Sequence, residues 1–189
     1  MGLMYYKGEG VPKDVLRAAN FFKKACDRGS ATSCTKLGVI YEFREGGLGQ
    51  EADLWSEFLE KGCDGGDADA CFRRGIAYSD GVRGHPDPGR AVKFYRKGCD
   101  GGSSGACFSI GSDYEEGREG LRKNYGEAVE FFKKACDGGR SDACSSLGLA
   151  YERGKMGLPK DPGRAAEFLK KACDGGDTLS CDALKYGQK

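Results

Sequence analysis

The chain has 189 residues, of which 39% are apolar and 31% are charged, with a net charge of +1. This composition excludes a disordered chain, and no apolar run approaches the roughly 20 residues of a membrane span. The 30 basic and 29 acidic residues alternate along the sequence instead of forming the clustered basic surface of a nucleic-acid-binding or membrane-surface protein. We therefore predict no nucleic-acid partner and no membrane association. We also predict a monomer.

Ten cysteines divide the chain into units of nearly equal length. They form five pairs, with partners eight residues apart: Cys26/Cys34, Cys63/Cys71, Cys99/Cys107, Cys136/Cys144 and Cys173/Cys181. Successive pairs follow one another after 37, 36, 37 and 37 residues. A period of this length is typical of repeat arrays, in which each unit packs on its neighbours. We predict one domain over residues 1–189, with about five repeats of 36–37 residues and a C-terminal capping helix.

Each unit contains two predicted helices, helix A and helix B. Helix A carries Cys-x-x-Leu-Gly-x-x-Tyr, whose spacing places the four named residues on one helix face. Helix B carries Ala-x-x-Phe and ends near a cysteine. The pattern predicts helices in chain order over residues 1–7, 14–27, 31–44, 50–64, 68–80, 88–101, 104–117, 125–138, 141–154, 162–175 and 178–186. A phenylalanine present in all five copies of helix B is predicted to be core: Phe21, Phe58, Phe94, Phe131 and Phe168.

The residues between paired cysteines indicate a reversal of the chain. They include Asp-Gly-Gly in four units and Asp27-Arg28-Gly29 in the first. Glycine after a helical run provides the left-handed conformation that ends a helix. Within one helix the paired Cα atoms would lie about 12 Å apart, beyond the roughly 7 Å limit for a disulfide. If the cysteines bridge, each pair links the last turn of helix B to the first turn of the next helix A.

Free buried thiols and a metal site are the alternatives to disulfides. Zinc sites favour Cys-x2-4-Cys spacing with further Cys or His ligands, and the only histidine is His85. An even, periodic set of cysteines favours an oxidising compartment, so we predict no metal and no other cofactor, and a secreted or periplasmic protein. The mitochondrial intermembrane space is the alternative location.

No signal peptide is visible, and residues 1–6 align with the interior of helix A in later units. We therefore expect the sequence to be a fragment, with any export signal upstream.

Three motifs together resemble the SEL-like repeat family. They are Leu-Gly-x-x-Tyr in helix A, Gly-x-Gly-Val-Pro-Lys-Asp over residues 8–14, and Phe-Phe-Lys-Lys-Ala-Cys-Asp over residues 21–27. The paired cysteines make the chain most similar to the Helicobacter cysteine-rich proteins within that family. The resemblance covers essentially all 189 residues. It implies an all-α, right-handed α/α solenoid of the tetratricopeptide type, a disulfide in each unit, secretion or periplasmic residence, and a protein-binding scaffold role.

The resemblance also implies an alternative function, because some cysteine-rich members are described as penicillin-binding or weakly β-lactamase-active. Ser33 and Lys36 form a Ser-x-x-Lys string, as in serine penicillin-recognising enzymes. The accompanying Ser-Asp-Asn and Lys-Thr-Gly strings do not occur in this sequence. His85 lies in a connector, and the Gly-rich connectors follow no strand that would make them phosphate-binding loops. We therefore predict no catalytic residue and favour a scaffold; if the protein is an enzyme, it is a β-lactam hydrolase.

Helix A also carries the predicted binding residues, since this helix lines the concave surface of a tetratricopeptide-like superhelix. They vary between units where core positions repeat: Thr35, Val39, Glu42, Phe72, Ile76, Phe108, Ser112, Glu115, Ser145, Leu149 and Glu152. An apolar ridge of Phe72, Ile76 and Phe108 beside recurring glutamates suits an extended peptide with an apolar anchor and a basic residue. The alternative is that Phe72 and Phe108 pack against adjoining helices.

Two further positions break the repeat pattern. Trp55 stands where the other units have alanine, and Arg74 stands where three other copies of helix A have leucine or isoleucine. One interpretation is that the two substitutions compensate for each other in the packing, with the arginine stacked on the tryptophan. The other is a pocket for an anionic group.

Overall fold

The computed structural model describes residues 1–48, 54–82 and 85–186. Within these ranges the chain is all-helical, without strands. The helices are α1 (Gly2–Lys7), α2 (Val15–Cys26), α3 (Ala31–Glu42), α4 (Leu54–Asp64), α5 (Ala68–Ser79), α6 (Pro88–Asp100), α7 (Ser104–Glu116), α8 (Tyr125–Asp137), α9 (Ser141–Arg153), α10 (Pro162–Asp174) and α11 (Thr178–Tyr186). The predicted helices are confirmed, although the predicted start of α4 lies outside the described residues. No helix in the described part of the chain is long and apolar enough to cross a membrane.

The helices pack in sequence order, which makes the molecule an α-solenoid. Helix A and helix B of one unit lie side by side in the pairs α1–α2, α3–α4, α5–α6, α7–α8 and α9–α10. These pairs are units one to five, and each helix B also packs on helix A of the next unit. Helix α11 packs on α10. Side chains of Asp or Asn cap the described starts of helix B by accepting a backbone N–H three residues on, at Asp14, Asp87, Asn124 and Asp161.

All five predicted disulfides are confirmed, and no cysteine of the chain is left free. The Cα–Cα distances within the bonded pairs are 4.6–4.8 Å. Each bond joins the end of helix B to the start of the next helix A, as the chain reversal predicts. The bonds are Cys26–Cys34, Cys63–Cys71, Cys99–Cys107, Cys136–Cys144 and Cys173–Cys181. The alternatives of free thiols and a metal site are therefore wrong for these cysteines.

A glycine in every unit allows the two cysteines of a pair to meet. Its φ lies between 84° and 94°, a conformation that residues with side chains rarely adopt. The five glycines are Gly29, Gly66, Gly102, Gly139 and Gly176. Because each glycine reverses the chain between helix B and the next helix A, it brings both cysteines within bonding distance.

The recurring phenylalanine of helix B is not uniformly core, which corrects the prediction. Phe58 and Phe131 are buried, whereas Phe94 and Phe168 are half-buried and Phe21 is 40% exposed. Each ring lies against the helix A tyrosine of its own unit, with centroids 5.4–5.8 Å apart. The residue that follows the phenylalanine fills the core instead, and it is buried in every unit: Phe22, Leu59, Tyr95, Phe132 and Leu169.

Candidate functional site

A cavity of about 330 Å³ opens between helices of the first three units. We call it the groove cavity, and its described lining is Tyr6, Phe22, Thr32, Thr35, Lys36, Val39, Asp67, Asp69 and Arg73. The hydroxyl of Tyr6 donates to Glu45 Oε1 at 2.9 Å, which holds this ring in the wall. Burial raises the pKa of Tyr6, so the hydroxyl keeps its proton. The cavity therefore combines aromatic walls with charged side chains.

The groove cavity lies at a position where later units carry an aromatic ring. Thr35 in α3 corresponds to Phe72 in α5 and Phe108 in α7. The ring of Phe72 fills the equivalent space beside α7, where a Cβ on Gly105 would come within 2.6 Å of it. Threonine is too short to fill this space, so the α3–α5 contact is left with an opening.

The charges around the groove cavity are partly paired. Arg73 contacts Asp69 at 3.1 Å and Glu42 at 3.0 Å. The carboxylate of Asp67 caps α5 by accepting the backbone N–H of Ala70. Both signs of charge are therefore present at the edge of one apolar opening.

Three of the predicted binding residues differ from the exposed placement expected for them. Thr35 is buried, with its hydroxyl donating to the backbone carbonyl of Ala31. Phe72 packs on Tyr95, and Phe108 packs on Phe132, with ring centroids 6.0 and 5.5 Å apart. The structure thus places both phenylalanines in contacts between helices, as the packing alternative holds. Binding by these residues stays a prediction.

The remaining predicted residues lie on α3, α5, α7 and α9. The half-buried ones are Val39, Ser112, Glu115, Ser145, Leu149 and Glu152. Ile76 is 37% exposed, and Glu42 is exposed and pairs with Arg73. Of the predicted set, the groove cavity brings together Thr35 and Val39.

A second cavity, of about 490 Å³, lies between α4, α5 and the start of α6. We call it the Arg74 cavity, and its described lining is Trp55, Ser56, Glu60, Arg74, Ala77, Tyr78, Gly81, His85, Asp87 and Arg90. Both pattern-breaking residues from the sequence therefore line one cavity. Arg74 is 4% exposed, and its guanidinium lies over the rings of Tyr78 and Phe94, at 4.9 and 5.2 Å from their centroids.

Two residues of the Arg74 cavity were missed in the sequence analysis. Ser56 stands where the other units have alanine or valine, and it accepts a hydrogen bond from Arg74 Nη1. Glu60 lies 3.5 Å from Arg74 Nη2, at a position that is basic in each of the other four units. The signal was present in the sequence, because an alignment of the helix B copies sets both residues apart.

The disulfide cysteines support both cavities without belonging to the described lining of either. Those on helix A lie in its first turn: Cys34, Cys71, Cys107 and Cys144 are buried, and Cys181 at the start of α11 is half-buried. The sulfurs are all oxidised, so they offer no thiolate for nucleophilic chemistry. Their role is therefore to fix the position of one helix on the next.

A buried acidic cluster lies near the end of α7. Asp113 occupies a position that is isoleucine or alanine in α3, α5 and α9, and it is 6% exposed. Burial, and then the charge of Glu119, raise the pKa of Asp113 to about 6. Arg118 lies 3.8 Å from one of its oxygens, while Asp113 Oδ2 and Glu119 Oε2 are buried with no hydrogen-bond partner in the described part of the chain. Ser79 donates to the other oxygen of Glu119 at 3.0 Å.

Both residues of the Ser-x-x-Lys string lie in α3. Ser33 is half-buried, and its hydroxyl accepts from Ser30 Oγ at 2.9 Å. Within the described part of the chain, no hydrogen bond joins Ser33 to Lys36. His85 is exposed at the edge of the Arg74 cavity. Binding or hydrolysis of β-lactams stays a prediction of the resemblance, which incubation with a chromogenic cephalosporin would test.

The Sel1 repeat model matches four segments, residues 1–30, 68–103, 104–139 and 141–177. They correspond to units one, three, four and five and cover well over half of the chain. Unit two, residues 31–67, is not matched, and it contains Thr35, Trp55, Ser56 and Glu60. No curated protein sequence matches at a significant level.

Solved structures of repeat proteins superpose on the chain. A Sel1 repeat protein from Oxalobacter formigenes is 26% identical, with a TM-score of 0.81 over 97% of this chain and 72% of its own. The protective antigen c5321 of uropathogenic Escherichia coli, which has an SLR fold, is 25% identical, with a TM-score of 0.78 over 97% and 39%. Cysteine-rich protein B of Helicobacter pylori is 25% identical, with a TM-score of 0.53 over 68% and 96%.

These similarities agree with the fold and with the motifs of the sequence. Sel1 repeat proteins are generally scaffolds for protein interactions. The resemblance to Helicobacter cysteine-rich proteins is confirmed, since one of them is among the structural neighbours. The helix pairs follow the order expected for the repeat, and the repeat model accounts for most of their residues. The chain therefore belongs to the Sel1 repeat family.

Proposed function

We propose that this protein is a secreted or periplasmic scaffold that binds an extended segment of a peptide or protein along the helix A groove, the surface formed by α3, α5, α7 and α9. The family supports a role in protein interactions. Five disulfides are typical of an oxidising compartment.

The groove cavity is the observation that carries the proposal. Its walls include Phe22, Tyr6 and Val39, and it is open because Thr35 replaces an aromatic ring. One apolar side chain of a bound segment can occupy the space that Phe72 fills in the next unit. Burial of such a side chain is worth about 1.5–3 kcal/mol, enough for an anchor residue.

Charged residues around the groove suit the rest of the segment. Lys36 and Arg73 lie beside the cavity with Asp69, so acidic and basic side chains both find partners there. Farther along, Glu115 and Glu152 occupy the helix A position of Glu42 and would attract a basic residue. The proposed ligand is therefore an extended segment with one apolar anchor and a basic residue on the side of α7 and α9.

Selection from a random peptide library, with the disulfides intact, tests this function. We expect enriched peptides to share an apolar residue with charged neighbours. Thr35→Phe places in the cavity the residue that two other units carry, so the fold should persist while binding of the selected peptides falls at least about tenfold.

Ser145→Phe is the comparison variant, because it places phenylalanine at the equivalent position of α9, outside the groove cavity. Ser145 is itself a predicted groove residue near the basic end of the segment, so this change should weaken binding, but by less than Thr35→Phe, because the anchor cavity stays open. Unchanged binding to Thr35→Phe would contradict the proposed site. Failure to enrich any peptide would contradict the proposed function.

A further inference from the structure

We propose that the Arg74 cavity binds a small zwitterion of the free α-amino-acid class. Four departures from the repeat converge on its wall, namely Trp55, Ser56, Glu60 and Arg74. The first three lie in unit two on α4, and Arg74 faces them from α5 in unit three. Four departures from the repeat around one cavity indicate that its lining serves a purpose other than helix packing.

The guanidinium of Arg74 has more N–H donors than the described residues around it engage. Nη1 donates to Ser56 Oγ, Nη2 donates to the hydroxyl of Tyr78 at 2.9 Å, and Glu60 Oε2 lies 3.5 Å from Nη2. Nε is buried, with no hydrogen-bond partner among the described residues. A guanidinium carries five N–H donors, so this buried side chain retains capacity for a further acceptor. A ligand carboxylate, with two oxygens, suits that requirement.

A second arginine faces the same cavity from α6. Arg90 donates to the hydroxyl of Tyr78 at 3.4 Å, on the ring that Arg74 also contacts. Arg90 is exposed, and its Nε lies 3.2 Å from Asp87. The hydroxyl of Tyr78 thus joins a buried and an exposed guanidinium, and a carboxylate near it would contact positive charge from two sides.

The balance of charge selects a zwitterion rather than a simple anion. The described lining contains two arginines, but Glu60 and Asp87 bring two carboxylates to the same walls. A ligand with only negative charge would meet these carboxylates, whereas an α-amino acid offers them its ammonium group. The indole of Trp55 and the methyl of Ala77 provide apolar surface for its side chain. A volume of about 490 Å³ lies within the usual range for small-molecule sites.

This site is independent of the groove, because the two cavities share no described lining residue. Trp55 is the only tryptophan of the chain, so its fluorescence reports directly on the Arg74 cavity. We suggest titrating the oxidised protein with L-phenylalanine, up to about 10 mM, while monitoring tryptophan emission and, in parallel, heat of binding.

The expected result is a saturable change with phenylalanine, with at least about tenfold weaker binding of 3-phenylpropionate and phenethylamine, which each lack one charge. Inorganic phosphate should not saturate the signal. Equal binding of phenylpropionate or saturation by phosphate would overturn the assignment to a zwitterion. Absence of any saturable signal from phenylalanine, alanine and glycine would overturn the site.

Two variants test the arginines. Arg74→Leu introduces the residue of units two and five and should reduce phenylalanine affinity at least about tenfold. Arg90→Gln, an exposed change that cannot disturb the core, should reduce it by about threefold to tenfold. Arg164→Gln is the matched control, because Arg164 contacts Tyr151 in the same way in unit five and should leave affinity unchanged. Unchanged affinity in both test variants would refute the proposal.

Discussion

The α4–α5 contact and the α8–α9 contact share one helical pattern but differ in their cores. At the first, the core residue is Arg74, with Ser56 and Glu60 on the facing helix. At the second, it is Leu147, and Val129 takes the place of Ser56; both are buried apolar residues of one cluster. A charged core residue is tolerated at the α4–α5 contact because the residues that Arg74 contacts, Ser56 and Glu60, also differ from those of the other units.

The repeat model distinguishes the same two regions. It matches units four and five, which form the α8–α9 contact, and leaves unit two, which contains α4, unmatched. Yet the disulfide geometry is the same at both contacts, with Cα–Cα distances of 4.6 Å for Cys63–Cys71 and 4.8 Å for Cys136–Cys144. The disulfide-linked helices thus keep similar spacing at both contacts, while the side chains packed between them differ.

Exchange of the two core residues should produce the largest effect. Leu147→Arg would bury a guanidinium beside Val129 and Lys133, which stand in place of Ser56 and Glu60, and we expect a loss of about 4–5 kcal/mol in the free energy of unfolding. The reverse change in the first region, Arg74→Leu with Ser56→Ala, should be neutral or stabilising by about 1–3 kcal/mol. Urea denaturation of the oxidised proteins measures both. Equal losses in the two variants would contradict the coupling of partner positions.

Removal of one disulfide should produce the next largest effect. Cys63 and Cys71 are fully buried at the first contact, and their replacement by alanine should cost about 3–4 kcal/mol in unfolding free energy. The same double change at the half-buried pair Cys173/Cys181 should cost about 2.5 kcal/mol or less, since less packing is lost. Urea titration compares the two variants. A larger loss at the terminal pair would show that burial does not set the order.

The acidic cluster predicts a dependence of stability on pH. The pKa of Asp113 is raised from 3.8 to about 6, so ionisation is disfavoured in the folded state. The contribution of this group to the free energy of unfolding is therefore highest below pH 3.8 and falls by about 3 kcal/mol as pH rises from there through 6. Asp113→Asn should remove that fall and stabilise the protein at pH 7. Glu119→Gln should reduce it, because the neighbouring charge is lost.

Thermal or urea unfolding between pH 4 and pH 7.5 measures this effect. Stability that rises through this interval in the parent, with Asp113→Asn unchanged relative to it, would contradict the assignment. The pair of variants separates burial from charge repulsion, since Glu119→Gln leaves Asp113 buried.

The smallest effect is expected from exposed ion pairs between successive helix B copies. Lys97 of α6 lies 2.8 Å from Asp64 of α4, and Lys171 of α10 lies 3.1 Å from Asp137 of α8. Both pairs are exposed, so Lys97→Ala and Lys171→Ala should each cost less than about 0.5 kcal/mol. The loss of unfolding free energy caused by either substitution should vanish in about 1 M salt, where exposed charges are screened. A cost above about 1 kcal/mol for Lys97→Ala alone would mean that the first contact depends on its surface charges.

The fold was predictable from the sequence because its signals are local. The cysteine period sets the unit length, and the glycine between paired cysteines reverses the chain within a few residues. Helix lengths follow from apolar spacing over a dozen residues. The groove and the degree of burial of individual rings were less predictable. Phe21 recurs like a core residue and stacks on Tyr5 as its equivalents stack on their tyrosines, yet it is 40% exposed. Burial at this position therefore does not follow from the repeat motif alone.

By itself the sequence determined the helical repeat, the order of its helices and the pairing of its cysteines, since these depend on spacing and turn chemistry. Only the tertiary structure decided which side chains meet across units. Thr35 borders a cavity because α5 stands beside it, and Arg74 finds Ser56 and Glu60 because α4 and α5 are held together by a disulfide. The physical reason is that cavities and buried charges are properties of contacts between helices, whereas helices and turns arise from neighbours along the chain.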